Sequence, residues 1–261
     1  LGTTEIGLLK VPFGTNQAEQ ILPDGPLLNQ SFAIDVSPGQ LWTVFGEITV
    51  NYNPYPLSYK GISNLRDGTW TNISYSELSG AVGPSNDLVN VTINPNNPNE
   101  TYISSFQKGL LKMDGQAPLV LYNDSNSPLE IPPTSDPVAM GIRLYGSEFD
   151  SQGNLWFVQS RSNEGLIKLT SGGQFQKIDI FNIINGEGEQ ALTEVAISRE
   201  GYVFFGSSQS GLMGYNPSNG MFNRIEEGEG NGNIPRNSVR SLAFDNQNRL
   251  WIGTSLGLRV L

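Results

Sequence analysis

The chain has 261 residues, 15 basic against 25 acidic, a net charge of −10, and neither cysteine nor histidine. That composition excludes disulfides, thiol catalysis and cysteine–zinc sites. It also removes the serine–histidine dyad and most transition-metal sites, and it argues against nucleic acid as a partner, which needs a basic surface.

In chain order, the first residues read as the end of a repeat. Leu1-Gly2-Thr3-Thr4 aligns with Ile252-Gly253-Thr254-Ser255 near the other terminus, and Gly7-Leu8 aligns with Gly257-Leu258 after one insertion. This predicts a second strand at the start, a third over Gly7–Val11 and a fourth over Ala18–Leu22. A recurring phrase then appears: turn residues, an aliphatic–aromatic pair, and glycine followed by leucine or isoleucine. Its aromatic anchors are Trp42, Tyr102, Trp156, Phe204 and Trp251, spaced 60, 54, 48 and 47 residues apart. A period near fifty means one supersecondary unit repeated.

The unit is clearest from Leu192 to Ile225. Leu192–Ile197 alternates as a half-buried strand does. Ser198-Arg199-Glu200-Gly201 is a turn. Tyr202–Gly206 is a second strand, Gly211–Tyr215 a third, and Met221–Ile225 a fourth, with Asn216–Gly220 turning the chain between the last two. Four short antiparallel strands per repeat describe a β-propeller blade. The fold class is therefore all-β, with whole blades over about 29–73, 86–122, 142–180 and 190–225 and part-blades over 1–22 and 237–261. Both termini carry the same second and third strands, so the expectation is a piece of a longer propeller whose ring these residues do not close. Helix signals are nearly absent: Ile180–Gln190 reads as a loop with at most one helical turn. Long loops are expected at Asn51–Lys60 and Asn123–Pro137.

Carboxylate pairs are the only classical acid–base option left. Asp35, Asp150 and Asp245 fall at or beside first-to-second-strand hairpins, where aspartate usually bonds its own backbone. No calcium loop and no phosphate-cradling glycine loop is present. The expectation is no catalysis, no cofactor and no metal. No apolar stretch approaches the roughly 18 residues of a membrane span.

The stretch Asn237–Asp245 through Leu250-Trp251-Ile252-Gly253-Thr254 to Gly257-Leu258 resembles the two-component-regulator propeller repeat, which builds periplasmic sensors of hybrid two-component systems in Bacteroidota. A narrower resemblance is to the PorZ-type propellers of the type IX secretion system. It rests on Asn94-Pro95-Asn96-Asn97-Pro98, on Ser104–Leu110, on Tyr122–Leu129 and on the closing Gly257–Leu261. The second resemblance implies a periplasmic or cell-surface binding and scaffold module with a protein or anionic-glycan partner; the first implies a saccharide-sensing ectodomain of a histidine kinase. Neither carries a catalytic residue across, and a propeller lyase or glycosidase stands as a weaker third reading.

Propellers bind at the mouth of the central channel, through loops that enter the innermost strands. Those strands are expected to begin near Ser31, Asn86, Leu144, Leu192 and Val239. The candidate binding residues at that mouth are Asn29, Asn86, Arg143, Gln190 and Arg240. Each arginine offers a planar fork of donors to a carboxylate or phosphate. The plainer alternative is that each is tied to an acid or carbonyl of a neighbouring blade.

Overall fold

The structure is a computed structural model and describes residues 8–21, 24–132, 140–184 and 191–261. Four four-stranded antiparallel sheets follow one another along the chain. The first holds β3 (Ala33–Ser37), β4 (Gln40–Val44), β5 (Ile62–Arg66) and β6 (Thr69–Ile73). The second holds β7 (Leu88–Ile93), β8 (Glu100–Ser105), β9 (Gly109–Asp114) and β10 (Ala117–Tyr122). The third holds β11 (Leu144–Phe149), β12 (Leu155–Gln159), β13 (Leu166–Leu169) and β14 (Phe175–Ile178). The fourth holds β15 (Leu192–Ile197), β16 (Val203–Ser207), β17 (Leu212–Asn216) and β18 (Met221–Ile225). A three-stranded sheet of β19 (Val239–Phe244), β20 (Leu250–Thr254) and β21 (Gly257–Val260) comes last, and a hairpin of β1 (Leu8–Lys10) and β2 (Glu19–Ile21) comes first. We refer to the five larger sheets as blades A to E. The strand expected at Leu1–Thr4 lies outside the described residues.

The first strands of successive blades face one another, β3 with β7, β7 with β11, β11 with β15 and β15 with β19. They line the channel. The chain thus has the all-β architecture of a propeller. Its core lies between blades, not inside them, because each thin sheet has two faces to cover. Trp42, Val44 and Ile62 of blade A pack on Leu88, Ile103 and Leu111 of blade B. The same pattern recurs between B and C through Leu110, Phe157 and Ile167, between C and D through Trp156, Val158 and Phe205, and between D and E through Leu212, Val239 and Ile252.

The repeated aromatic anchors all lie on second strands and pair across to third strands. Tyr102 opposes Lys112, Trp156 opposes Lys168, and Phe204 opposes Gly214. The lysines cap the rings, with Nζ 5.4 Å from the Tyr102 centroid and 5.2 Å from that of Trp156. A Cβ at Gly214 would come within 3.1 Å of the Phe204 ring, so the absence of a side chain leaves the aromatic its place.

Asp150 and Asp245 hold their hairpins as the sequence suggested. Asp150 accepts the amides of Gln152 and Asn154 at 3.0 and 2.9 Å and the Trp156 indole N–H at 3.0 Å. Asp245 does the same for Gln247, Arg249 and Trp251 at 2.9, 3.0 and 2.9 Å. The aspartate therefore ties its turn to the anchor six residues on. Blade A departs from this rule. The residue six before Trp42 is Val36, the hairpin is tighter, with Ser37 opposite Gln40, and the buried Trp42 indole N–H has no partner among the described residues. Asp35 also differs from expectation: besides the Val36 amide it accepts the Ile93 amide of blade B at 2.7 Å, so it joins two inner strands.

One helix was not foreseen. The helix α1 (Tyr75–Val82) joins β6 to β7 and buries Leu78 in the A–B core. Ser74 and Glu77 form a reciprocal capping box at its start, which satisfies amides that the first turn leaves free.

Candidate functional site

Antiparallel strands alternate direction, so one end of the channel collects two sets of loops: those entering the first strands, and the turns between second and third strands. At that mouth lies a cavity of about 380 Å³. The entry loops contribute Arg143 and Ala191, the start of β19 contributes Arg240, and the second-to-third turns contribute Phe106, Ser160, Arg161, Ser208 and Gln209. Blade A contributes Val50, Asn51 and Tyr52 from its own second-to-third connection, residues 45–61. This connection is far longer than its counterparts in the other blades, and it reaches over the channel as a strap.

The strap is wedged by Tyr52. Its ring is 7% exposed and packs with Val89 and Phe106, with centroids 6.4 Å from Phe106 and 6.0 Å from Tyr145. Its backbone is left-handed, at φ 56°. That conformation costs a non-glycine residue about 1–2 kcal/mol, which the buried ring offsets. Burial pushes the Tyr52 hydroxyl up to about 12, against the opposing pull of Arg240.

Both arginines that the sequence singled out reach this strap. Arg143 donates Nη1–H to the Tyr52 carbonyl at 3.4 Å and Nε–H to the Met140 carbonyl at 3.2 Å, and stacks 5.5 Å from the Phe106 centroid. Arg240 donates Nη1–H to the Val50 carbonyl at 3.0 Å and Nε–H to Ser238 at 3.1 Å, and stacks 5.7 Å from the Tyr52 centroid. Arg161, in a left-handed turn at φ 61°, adds a third guanidinium. Burial lowers the proton affinity of Arg143, and the like charge of Arg161 lowers it further. No carboxylate lines the cavity among the described residues, so three cations face it unbalanced by acid.

The other candidates part company. Asn29 is exposed before β3 and lines no part of this cavity. Asn86 is buried below it and donates its side-chain amide to Asp87 at 2.6 Å, a structural contact. Gln190 lies outside the described residues. Sequence reasoning missed Arg161, Ser160, Ser208 and Gln209 because it considered only the loops entering first strands.

Further along the inner strands the sign reverses. A second cavity of about 310 Å³ is lined by Asp35, Asn90, Ser147, Glu148 and Glu194. Burial raises Glu194 to about 7, and the neighbouring Glu148 adds to the rise. Glu148 itself is raised to about 7 by burial and then by Asp35. It presents surface to the channel water while protein crowds it on most sides, and the crowding sets its proton affinity. Gly146 allows the approach: a Cβ there would sit 2.5 Å from the Glu194 Cα.

With this geometry in view, comparison with known proteins is informative about fold. Residues 233–255 match the two-component-regulator propeller repeat. No protein with a curated description matches the chain significantly. Among solved structures, PorZ of Porphyromonas gingivalis, an essential surface component of the type-IX secretion system, is similar with a TM-score of 0.76 at 17% identity. The match covers 94% of this chain and 34% of PorZ, so the chain spans about a third of that protein's length. The extracellular domain of BT4673 from B. thetaiotaomicron is similar with a TM-score of 0.62 at 17% identity, covering 99% of this chain and 30% of that one. Virginiamycin B lyase from Staphylococcus aureus is similar with a TM-score of 0.57 at 12% identity, covering 90% of this chain and 71% of the lyase. The shared feature is the propeller, which these structures carry in a surface component, an extracellular domain and a lyase. Among the described residues no helix is long and apolar enough to cross a membrane.

Proposed function

We propose that this chain is an interaction propeller of a cell-surface or periplasmic protein, working by binding and not by catalysis, and that it serves type IX secretion. Its partner is an anionic surface, on a protein or a glycan, taken at the channel mouth. The observation that carries this reading is the convergence of Arg143, Arg161 and Arg240 on one cavity without a described carboxylate, in a chain of net charge −10 with only 15 basic residues. Three of few cations in one place, two of them stacked on aromatic rings, form a preorganised set of charged donors. The fold shared with PorZ supports the secretion assignment, and the missing histidine and cysteine support binding over chemistry.

Calorimetry tests the reading. An acidic polysaccharide is expected to bind the parent chain with an affinity that falls as salt rises, while its neutral counterpart does not bind. Arg161→Ala and Arg240→Ala are each expected to weaken binding about tenfold, the loss of one charged hydrogen-bonding partner. Equal affinity in parent and variants would defeat it. For the secretion role, deletion of the gene in its own organism should block surface display of secreted cargo.

A second reading, a ligand-sensing ectodomain, is favoured by the repeat matched at residues 233–255 and by the likeness to BT4673. Deletion would then change transcription in response to a saccharide and leave surface display intact.

A further inference from the structure

The mouth is already occupied by the protein itself. The Val50 and Tyr52 carbonyls take Arg240 and Arg143 donors at 3.0 and 3.4 Å. Both are neutral acceptors, and the second contact is long. A guanidinium bonded to a carbonyl keeps its full charge unmatched, whereas a carboxylate or phosphate neutralises it and can accept two parallel N–H bonds at once. Among the described residues Arg161 has no such carbonyl, and it stands beside Arg143. Both ends of the strap are fixed at the entry to blade B, where the Gly46 N–H donates to the Leu88 carbonyl at 2.8 Å and Ser58 and Asp87 exchange bonds at 2.7 and 2.9 Å, but its tip is held less: Val50 is 71% exposed, and Thr49 and Asn53 close the tip on each other, not on a blade. Tyr52 seats that tip among the rings of blades B and C.

We propose that the strap tip, residues 48–56, is an internal competitor for the arginine cavity, so that a compact polyanion binds by displacing the tip carbonyls and frees the tip from the mouth. The proposal rests on the reading of the mouth as an anion site. Its consequence is that binding at the cavity is reported on the outer surface by a change in one loop. A partner recognising the free strap would sense occupancy of the mouth without touching the ligand.

The experiment uses citrate and pyrophosphate as probes, one carboxylate and one phosphate, with calorimetry and backbone hydrogen exchange on the same chain. On displacement, the amides of residues 48–56 exchange faster with probe than without. Tyr52→Ala, which removes the wedge, binds the probe about fivefold tighter, because the binding-competent fraction rises. Arg161→Ala binds about tenfold more weakly. If the probe binds but exchange across 48–56 slows, and Tyr52→Ala binds no tighter, the strap is part of the site and the competitor idea is wrong while the anion site stands. If neither probe binds the parent or Tyr52→Ala, both fall. Exchange on the parent chain answers the question even where Tyr52→Ala folds poorly. A response to pyrophosphate alone assigns the cavity to phosphate groups, and one to citrate alone assigns it to carboxylates.

Discussion

Glu194→Gln removes one of three carboxyls that share the channel. In the unfolded chain such a group titrates near 4.5; in the folded protein burial and Glu148 hold Glu194 at about 7. Between those values the folded state carries a proton that the unfolded state has lost. Stability therefore falls as pH rises from about 4.5 to about 7 and is flat above. The full difference is on the order of 3 kcal/mol, and the partly open channel reduces it to about 1.5–2 kcal/mol by solvent screening. Asp35 and Asp87, both raised by burial, contribute with the same sign. Asp245 and Asp150 are lowered, Asp245 first by the Trp251 indole N–H and Asp150 by bonds from Asn154 and Trp156 that outweigh its burial, so their effect appears on acidification, below this window. The absence of histidine leaves the window from pH 5 to 8 to carboxyls. Thermal scans across that range should show the parent melting lower with rising pH. Glu194→Gln should flatten the slope and melt about 5 °C above the parent at pH 8, since one kcal/mol shifts a chain of this size by about 2–4 °C. A parent melting point independent of pH, together with a Glu194→Gln chain less stable at pH 8, would mean that the carboxyls are paired and ionised, and would refute the reasoning.

Asp150→Ala should cost about 2 kcal/mol in urea unfolding, because it strands the indole of Trp156, which is 3% exposed, and two turn amides. Trp42→Phe should cost less than Trp156→Phe by about 1 kcal/mol in the same assay, since the Trp42 indole N–H has no bond to lose. Gly146→Ala should destabilise by about 2 kcal/mol or more, since its Cβ would meet the backbone of β15 and not a movable side chain. A near-neutral result there would show that the inner strands slide apart freely.

The blades were legible because their signal is packing. An aromatic on each second strand and a small residue near each third strand are what two stacked sheets require, and the phrase repeats with them. In blade D the strands expected at Leu192–Ile197 and Met221–Ile225 are β15 and β18. The capping box Ser74-x-x-Glu77 was also present in the sequence, but an eight-residue helix has too little periodicity to stand out among strands. The strap showed only as a long loop at Asn51–Lys60. Its destination depends on a tyrosine held left-handed by rings from blades B and C, contacts that no local pattern encodes. Arg161 was within reach of reasoning: antiparallel topology alone puts second-to-third turns at the same end as the entry loops.

The two charged regions of the channel follow from the same topology. Positions at the entry end of the inner strands face solvent and receive Arg143 and Arg240, while alternate positions inside the strands face the channel and receive Glu194 and Glu148. Between them lie the rings of Tyr52, Phe106 and Tyr145. An anion drawn to the arginines meets aromatic rings and then carboxylates, so the field that attracts it at the mouth opposes its passage. Under the reading proposed above, the mouth receives an anion and the channel beyond does not pass it on. On that reading, the strap tip whose carbonyls hold Arg143 and Arg240 is the element that gives way to the anion.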